Sequence, residues 1–293
     1  MWKQPWSMAL VQAEPVAGDV AAGVRAVTHH LSAVRERSPA AAPVRLAVFP
    51  ELFLGGYDLA RAAEIGVRLD GPPLAEIARA AREAGIALVC GFAERAEDGR
   101  LLNSAAAIDA GGRLQAVYRK THLFADEHRV FAAGDEPVVI ELDGVRLGLG
   151  ICFDLEFPEY SRLLALRGAQ VLCFPTANMA PWAHYQHTYA PARAMENQCF
   201  VAVCNRVGTE GGFEFFGESG VWGPDGGRLA AAPPGAQAYT LACMDPGLSA
   251  RVADYPFHYL DERRPGLYGP LADATADTGA QASTRIPTGA SQS

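Results

Sequence analysis

Short apolar runs of strand length recur along this chain, and several carry almost no alternating polar positions: "VRLAVFPE" (44–51), "IALVCGFAER" (86–95), "AQVLCFPTA" (169–177) and "FVAVCNRVG" (200–208). A strand that is apolar on both sides must be covered on both faces, so helices are required over the sheet. The intervening segments supply them. Asp19 can cap a helix in which Val20, Val24, Val27, Leu31 and Val34 recur at helical spacing. "PPLAEIARAAREAG" (72–85) opens on prolines and closes on Gly85, which is helix punctuation. A helix is expected near 189–198 and another after Cys152, and Met8–Gln12 reads as a further strand. Hairpins are signalled at Gly111–Gly112, at Asp143–Gly144 and at "GPDGG" (223–227), the last being a turn and not a phosphate loop. Alternating helices and strands mixed with hairpins predict an α/β (α+β) layered domain with a mixed sheet, without internal repeats or a dividing linker. After Tyr268 the chain turns rich in Ala, Thr, Gly and Ser, and residues 269–293 are expected to be a disordered tail.

Composition narrows the function. Of 293 residues, 49% are hydrophobic and 20% charged, enough for a sizeable core. A net charge of -8 argues against nucleic acid or an anionic membrane as partner. No apolar run is long enough to span a bilayer and the first residues lack a signal-peptide core, so the cytoplasm is the expected compartment. Six cysteines lie scattered, without a CxxC pair. They are expected to be free, and all but Cys152 to be core residues.

Three predicted strand ends carry reactive side chains: Glu51, Lys120 and Cys152. A carboxylate, an ammonium and a thiol are the parts of a nucleophilic hydrolase that needs no histidine. The carboxylate can take the thiol proton, and the ammonium, with the backbone N–H of Phe153, can hold an oxyanion. Lys120 and the start of the next helix would give the sulfur positive surroundings. Each residue alone has an ordinary alternative: a core cysteine, or solvated charges at strand ends. His122, two residues beyond Lys120, leaves a Cys–His dyad open. His184 and His187 in "HYQH" lack a third ligand at helpful spacing, so no metal is expected. Asn178, Met179, Trp182 and Tyr185 follow the strand "VLCFPTA", where substrates often sit; Phe53 and Tyr57 are similar candidates for binding.

"FPELFLGGYD" (49–58), "YRKTHLF" (118–124) and "GICFDLEFPE" (150–159) occur in the order found in the nitrilase superfamily, the carbon–nitrogen hydrolases, which the chain resembles from about Ala9 to about Tyr268. The resemblance implies a four-layer α-β-β-α sandwich and a triad of Glu51, Lys120 and Cys152. It adds a second glutamate, Glu127 in "FADEHRVFAAGD", which on a polar loop would otherwise read as a surface carboxylate. It implies ammonia release through a cysteine thioester, with no metal or organic cofactor. Nitrile-cleaving members typically have tryptophan then glutamate after the nucleophile. Here Phe153 and Asp154 stand there, as in the amidase and carbamoylase branches. Relatives acting on carboxylate-bearing substrates commonly have arginine where this chain has Glu156. A glutamate facing the pocket would favour an amine-bearing substrate; facing outward it would be a solvated carboxylate in a helix's first turn. The longer stretch through "ENQCFVAVCNRVG" most resembles ω-amino amide hydrolases such as 5-aminopentanamidase, with (R)-stereoselective amidases and N-carbamoylputrescine-type hydrolases as neighbours. "ENQCFVAVCN" resembles the superfamily's usual interface segment, which implies at least a homodimer. A nitrilase, a glutaminase partner and a non-catalytic interaction module of the same fold are the remaining alternatives.

Overall fold

The computed structural model describes residue 2 and residues 4–273. The chain up to Pro256 forms one unit. It begins β1 (Trp6–Gln12), α1 (Val20–Arg37), β2 (Val44–Val48), α2 (Pro72–Ala84), β3 (Ala87–Arg95), β4 (Leu101–Ile108), β5 (Leu114–Arg119). It repeats the plan with β6 (Val138–Leu142), β7 (Val145–Leu149), α3 (Pro158–Leu166), β8 (Val171–Thr176), α4 (Ala183–Asn197) and β9 (Phe200–Asn205). β10 (Val207–Glu210), β11 (Phe213–Phe216), β12 (Gly220–Trp222), β13 (Arg228–Ala231), β14 (Ala238–Met244) and α5 (Pro246–Ala253) complete it.

Two six-stranded sheets result, in the orders β14-β1-β2-β3-β4-β5 and β13-β12-β9-β8-β7-β6. Each has a parallel centre, β1/β2/β3 in one and β7/β8/β9 in the other, flanked by antiparallel strands. α1 and α2 pack on the first sheet, α3 and α4 on the second, and the sheets meet through β1 with β9 and β3 with β8. This is the expected α-β-β-α sandwich. Period-two alternation drives it. Met8, Leu10, Leu46, Val48 and Val89 enter the core shared by the sheets, while Ala9, Val11, Ala47 and Leu88 face α1 and α2. Asp19 caps α1 by accepting from Ala22 N at 2.8 Å, and Val24, Val27, Leu31 and Val34 are its buried stripe. Gly85 ends α2 at φ +67°.

Some expectations are corrected. "FVAVCNRVG" is not one strand: Arg206 N and Asn178 N both donate to the Asn205 side chain, which turns the chain into the separate β10–β11 hairpin. α4 begins at Ala183 rather than near Tyr189, and Pro191 inside it, which removes a helical donor, hid it. β11, β14 and α5 were not anticipated. Cys243 is exposed on edge strand β14, where Ala242 and Met244 take the inward positions; Cys90, Cys173, Cys199 and Cys204 are buried. All six thiols are free. Within the segment expected as an interface, residues 196–205, Phe200–Asn205 is fully buried in the sheet, and Glu196 and Gln198 keep partial exposure. No described helix is long and apolar enough to cross a membrane.

From Phe257 the chain forms a second unit, whose described part contains single 3-10 turns at Pro265–Leu267 and Gly269–Ala272. Residues 274–293, most of the expected tail, lie outside the described residues.

Candidate active site

Each reactive residue lies just past a strand rather than at its last position. β2 stops at Val48 and the chain folds back over β3, with Phe49 N donating to Val89 O (2.8 Å), Gly91 N to Pro50 O (3.2 Å) and Leu54 N to Gly91 O (3.1 Å). Glu51 is at the head of that turn and fully buried. Lys120 follows β5 directly; its N–H donates to Asn103 O and its carbonyl accepts from Gly134 N, both at 2.8 Å. β7 stops at Leu149, and Cys152 opens a 3-10 turn, Cys152–Glu156, at φ +46°. α3 starts only at Pro158, so the expected helix N-terminus is not at the sulfur.

The side chains converge. Lys120 Nζ donates to Glu51 Oε1 at 2.7 Å and to Glu127 Oε1 at 3.0 Å, and its ion pair brings Glu127 Oε2 to 2.9 Å. Tyr57 OH donates to Glu127 Oε1 at 2.7 Å, and Phe124 N donates to Glu127 Oε2 at 2.9 Å. Glu127 is thus a buried carboxylate held from both sides. Cys152 Sγ–H donates to Asn178 Oδ1 at 3.1 Å, and Asn178 is fixed in turn by Gln186 (2.8 Å) and Asn205 (2.8 Å). The charges of Glu51, Lys120 and Glu127 all act on the Cys152 thiol, which keeps partial exposure although it lies deep among its neighbours.

The electrostatics define a resting state. Burial, and then the charge of Glu51, push the thiol well above its ordinary pKa; Lys120 pulls the other way without prevailing. The expected positive surroundings are therefore outweighed, and the sulfur rests protonated. Burial also raises the Glu51 carboxyl, with Lys120 offsetting only part of that. Burial works against the Lys120 ammonium, but Glu127 and Glu51 outweigh it and hold its pKa well up. Glu51 Oε2 is buried without a hydrogen-bond partner among the described residues. A protonated thiol, a carboxylate with one free oxygen and a fixed ammonium can together perform base-assisted attack on a carbonyl.

The other candidates fare differently. Phe153 packs edge-on to Phe124 and Phe157 at 5.4 and 5.0 Å, half-buried. Glu156 is half-buried; burial raises its carboxyl, against the charges of Arg193 and Lys120, so it lies within electrostatic reach of the cluster. Trp182 is exposed at the head of α4, apart from the hydrogen-bonded cluster, and Tyr185, also exposed, lies tilted against His184. Met179 is buried beside Tyr57 and Phe215. Phe53 is a core residue between His30 and Phe49, so its candidacy for binding fails. His122 donates its N–H and turns its Nδ1 to Asp154 Oδ1 (3.0 and 2.8 Å) and stacks on Phe157, ring centroids 3.8 Å apart, so it is not the sulfur's partner. His187 pairs with Glu218, and no metal-binding cluster occurs among the described residues.

Two buried residues escaped the sequence reading as parts of the site. Asn103, a lone amide in the apolar strand "LLNSAAAI", donates to Glu51 Oε1 at 2.7 Å. Asp154 accepts from Ile151 N (2.9 Å), Tyr118 OH (2.7 Å), Thr121 Oγ1 (2.9 Å) and His122 N, so it fastens the Cys152 turn to the segment after Lys120. A polar residue inside an apolar run was the only sequence signal for Asn103.

The family model for carbon-nitrogen hydrolase matches residues 7–254. A protein of Pseudomonas protegens named "Hydrolase in pqqF 5'region" is 39% identical over 90% of this chain and 91% of its own. An (R)-stereoselective amidase of a Pseudomonas species is 38% identical over 76% of this chain and 81% of its own. The crystal structure of an amidase from a Nesterenkonia species superposes with a TM-score of 0.78 at 29% identity, covering 90% of this chain and 95% of that one. In another structure of that enzyme, the acetamide moiety of fluoroacetamide is added covalently at the active-site cysteine. The two-sheet architecture, the match over most of the length and these relatives agree, and the chain belongs to the carbon-nitrogen hydrolase family, as an amidase.

Proposed function

We propose that the protein hydrolyses a small linear amide bearing an amine, with 5-aminopentanamide as the representative substrate, through a thioester on Cys152. Glu51 Oε2 takes the thiol proton as Sγ attacks the amide carbonyl carbon. Lys120 Nζ and the Phe153 N–H hold the resulting oxyanion. The tetrahedral species collapses, Glu51 returns the proton to the nitrogen, and ammonia leaves. Water then gives a proton to Glu51 and attacks the thioester. Collapse releases the carboxylic acid, and the sulfur recovers its proton. Glu127, held by Tyr57, keeps Lys120 charged and aimed.

The observation that carries the chemistry is the buried Lys120 between two carboxylates, with Glu51 keeping one oxygen free. The amine preference rests on Glu156, whose half-buried charge reaches Lys120, while Arg193 is engaged by the carbonyls of Leu155 and Glu156 and by Glu196. An N-carbamoyl amine would satisfy the same carboxylate.

Ammonia release should be measured for ω-amino amides, N-carbamoyl amines, ω-carboxyl amides and nitriles. Amine-tailed substrates should give the highest kcat/KM. Glu156→Arg should lower it by about fivefold, mostly through KM, as for loss of about 1 kcal/mol from a half-exposed ion pair. A preference for carboxylate-tailed amides in the unaltered protein contradicts the amine assignment.

A further inference from the structure

Besides Tyr57, which donates to Glu127, the cluster contains a second uncharged side-chain donor. Asn103 Nδ2 donates to Glu51 Oε1 at 2.7 Å and reaches Glu127 Oε1 at 3.4 Å, one N–H toward each carboxylate. The same residue's backbone carbonyl accepts the N–H of Lys120 at 2.8 Å. Asn103 is fully buried, and its Oδ1 has no partner among the described residues. The reversed amide would aim Oδ1 at two carboxylate oxygens, so the orientation is fixed by chemistry.

Lys120 and Asn103 thus both use Oε1 of Glu51 and leave Oε2 bare. A carboxylate held by one cation alone can swivel and exchange its oxygens. A second donor on the same oxygen from β4 removes that freedom. A lysine in place of Asn103 would add charge, and a serine could serve only one carboxylate. We propose that Asn103 is a positioning residue that locks the Glu51 carboxylate so that Oε2 is the base oxygen presented to Cys152. The inference rests on Glu51 being the base.

It predicts a pH signature. The groups that act on Glu51 are Lys120 after β5, Glu127 in its 3-10 turn, Cys152 in its own, Tyr57 and Arg206. The Asn103 hydrogen bond favours the charged form of Glu51, so its loss raises the Glu51 pKa further. Glu51 acts as a base only when ionised. The acid limb of any rate that needs it must therefore move to higher pH.

The test is alkylation by iodoacetamide, in which Sγ displaces iodide and the thiol proton passes to Glu51, so no substrate assignment is needed. The protein should carry Cys243→Ser, because Cys243 is exposed. The rate at Cys152 is followed against pH for Asn103→Leu, Asn103→Asp and Glu51→Gln. Both Asn103 variants should show the acid limb shifted upward and a plateau about 10²-fold lower, the loss expected when a catalytic group is misplaced by about an ångström. Asn103→Asp keeps the shape of the native side chain and decides the matter if Asn103→Leu does not fold. An unmoved limb in a folded variant, with the limb abolished in Glu51→Gln, overturns the role of Asn103 alone. A Glu51→Gln profile identical to that of the unaltered protein overturns the base assignment itself.

Discussion

Cys152 holds a left-handed backbone at φ +46°, and Leu52, next to Glu51, does so at φ +50°. For residues with a Cβ this conformation costs about 1–2 kcal/mol, and it persists only where the surroundings over-determine it. At Cys152 the surroundings are visible: Asp154 grips Ile151 N on one side and Thr121 and His122 on the other. The turn holds the sulfur where the charges of Glu51 and Lys120 both act on it. Cys152→Ala and Cys152→Gly should both lose turnover. Glycine, which pays no penalty at positive φ, should be the more stable of the two by about 1 kcal/mol, or about 2–4 °C in Tm for a domain of this size. Differential scanning calorimetry of the pair decides: an alanine variant that melts as high as the glycine one removes the strain from the account.

The turn that carries Glu51 lies flat on β3, and this is possible because position 91 has no side chain. A Cβ on Gly91 would stand 2.5 Å from both Leu52 N and Pro50 O, which are backbone atoms that cannot rotate away. Gly91→Ala should therefore cost about 1–3 kcal/mol as overpacking and, by lifting the turn, lower kcat/KM more than stability alone explains. Unfolding and ammonia-release assays on the one variant test both effects, and an alanine that leaves both unchanged would show that the turn is free to move. Elements that obey a simple period were legible from the sequence: the β1–β3 run, α1 behind its Asp19 cap, α2 between prolines and Gly85, and the hairpin turning at Asp143–Gly144. Those governed by long-range side-chain bonds were not. Asn205, receiving N–H groups from Asn178 and Arg206, ends β9 and starts a new hairpin, and nothing local announces it. Cys243 looked like core because its apolar run did, but β14 is an edge strand and offers that residue no cover.

Neither sheet holds the site alone. Glu51 and Lys120 follow strands of the first sheet, Cys152 and Asn178 follow strands of the second, and the packing of the sheets brings the four together. This explains which parts of the site could be read in advance. Glu51, Lys120 and Cys152 advertise themselves as reactive groups past strand ends, and Glu127 through resemblance. The restraints on them, Asn103 from mid-strand and Asp154 from a turn, are ordinary polar residues until the fold places them. The chemistry requires that Cys152 become acylated during turnover. The most direct measurement is acid quenching of the protein during hydrolysis of 5-aminopentanamide or of a simple aliphatic amide, followed by mass spectrometry of its cysteine peptides. The acyl group of the substrate should appear on Cys152 alone, formed as ammonia is released and before the acid appears. Steady ammonia release with Cys152 unmodified at every time, or unabated turnover in Cys152→Ala, would contradict this chemistry.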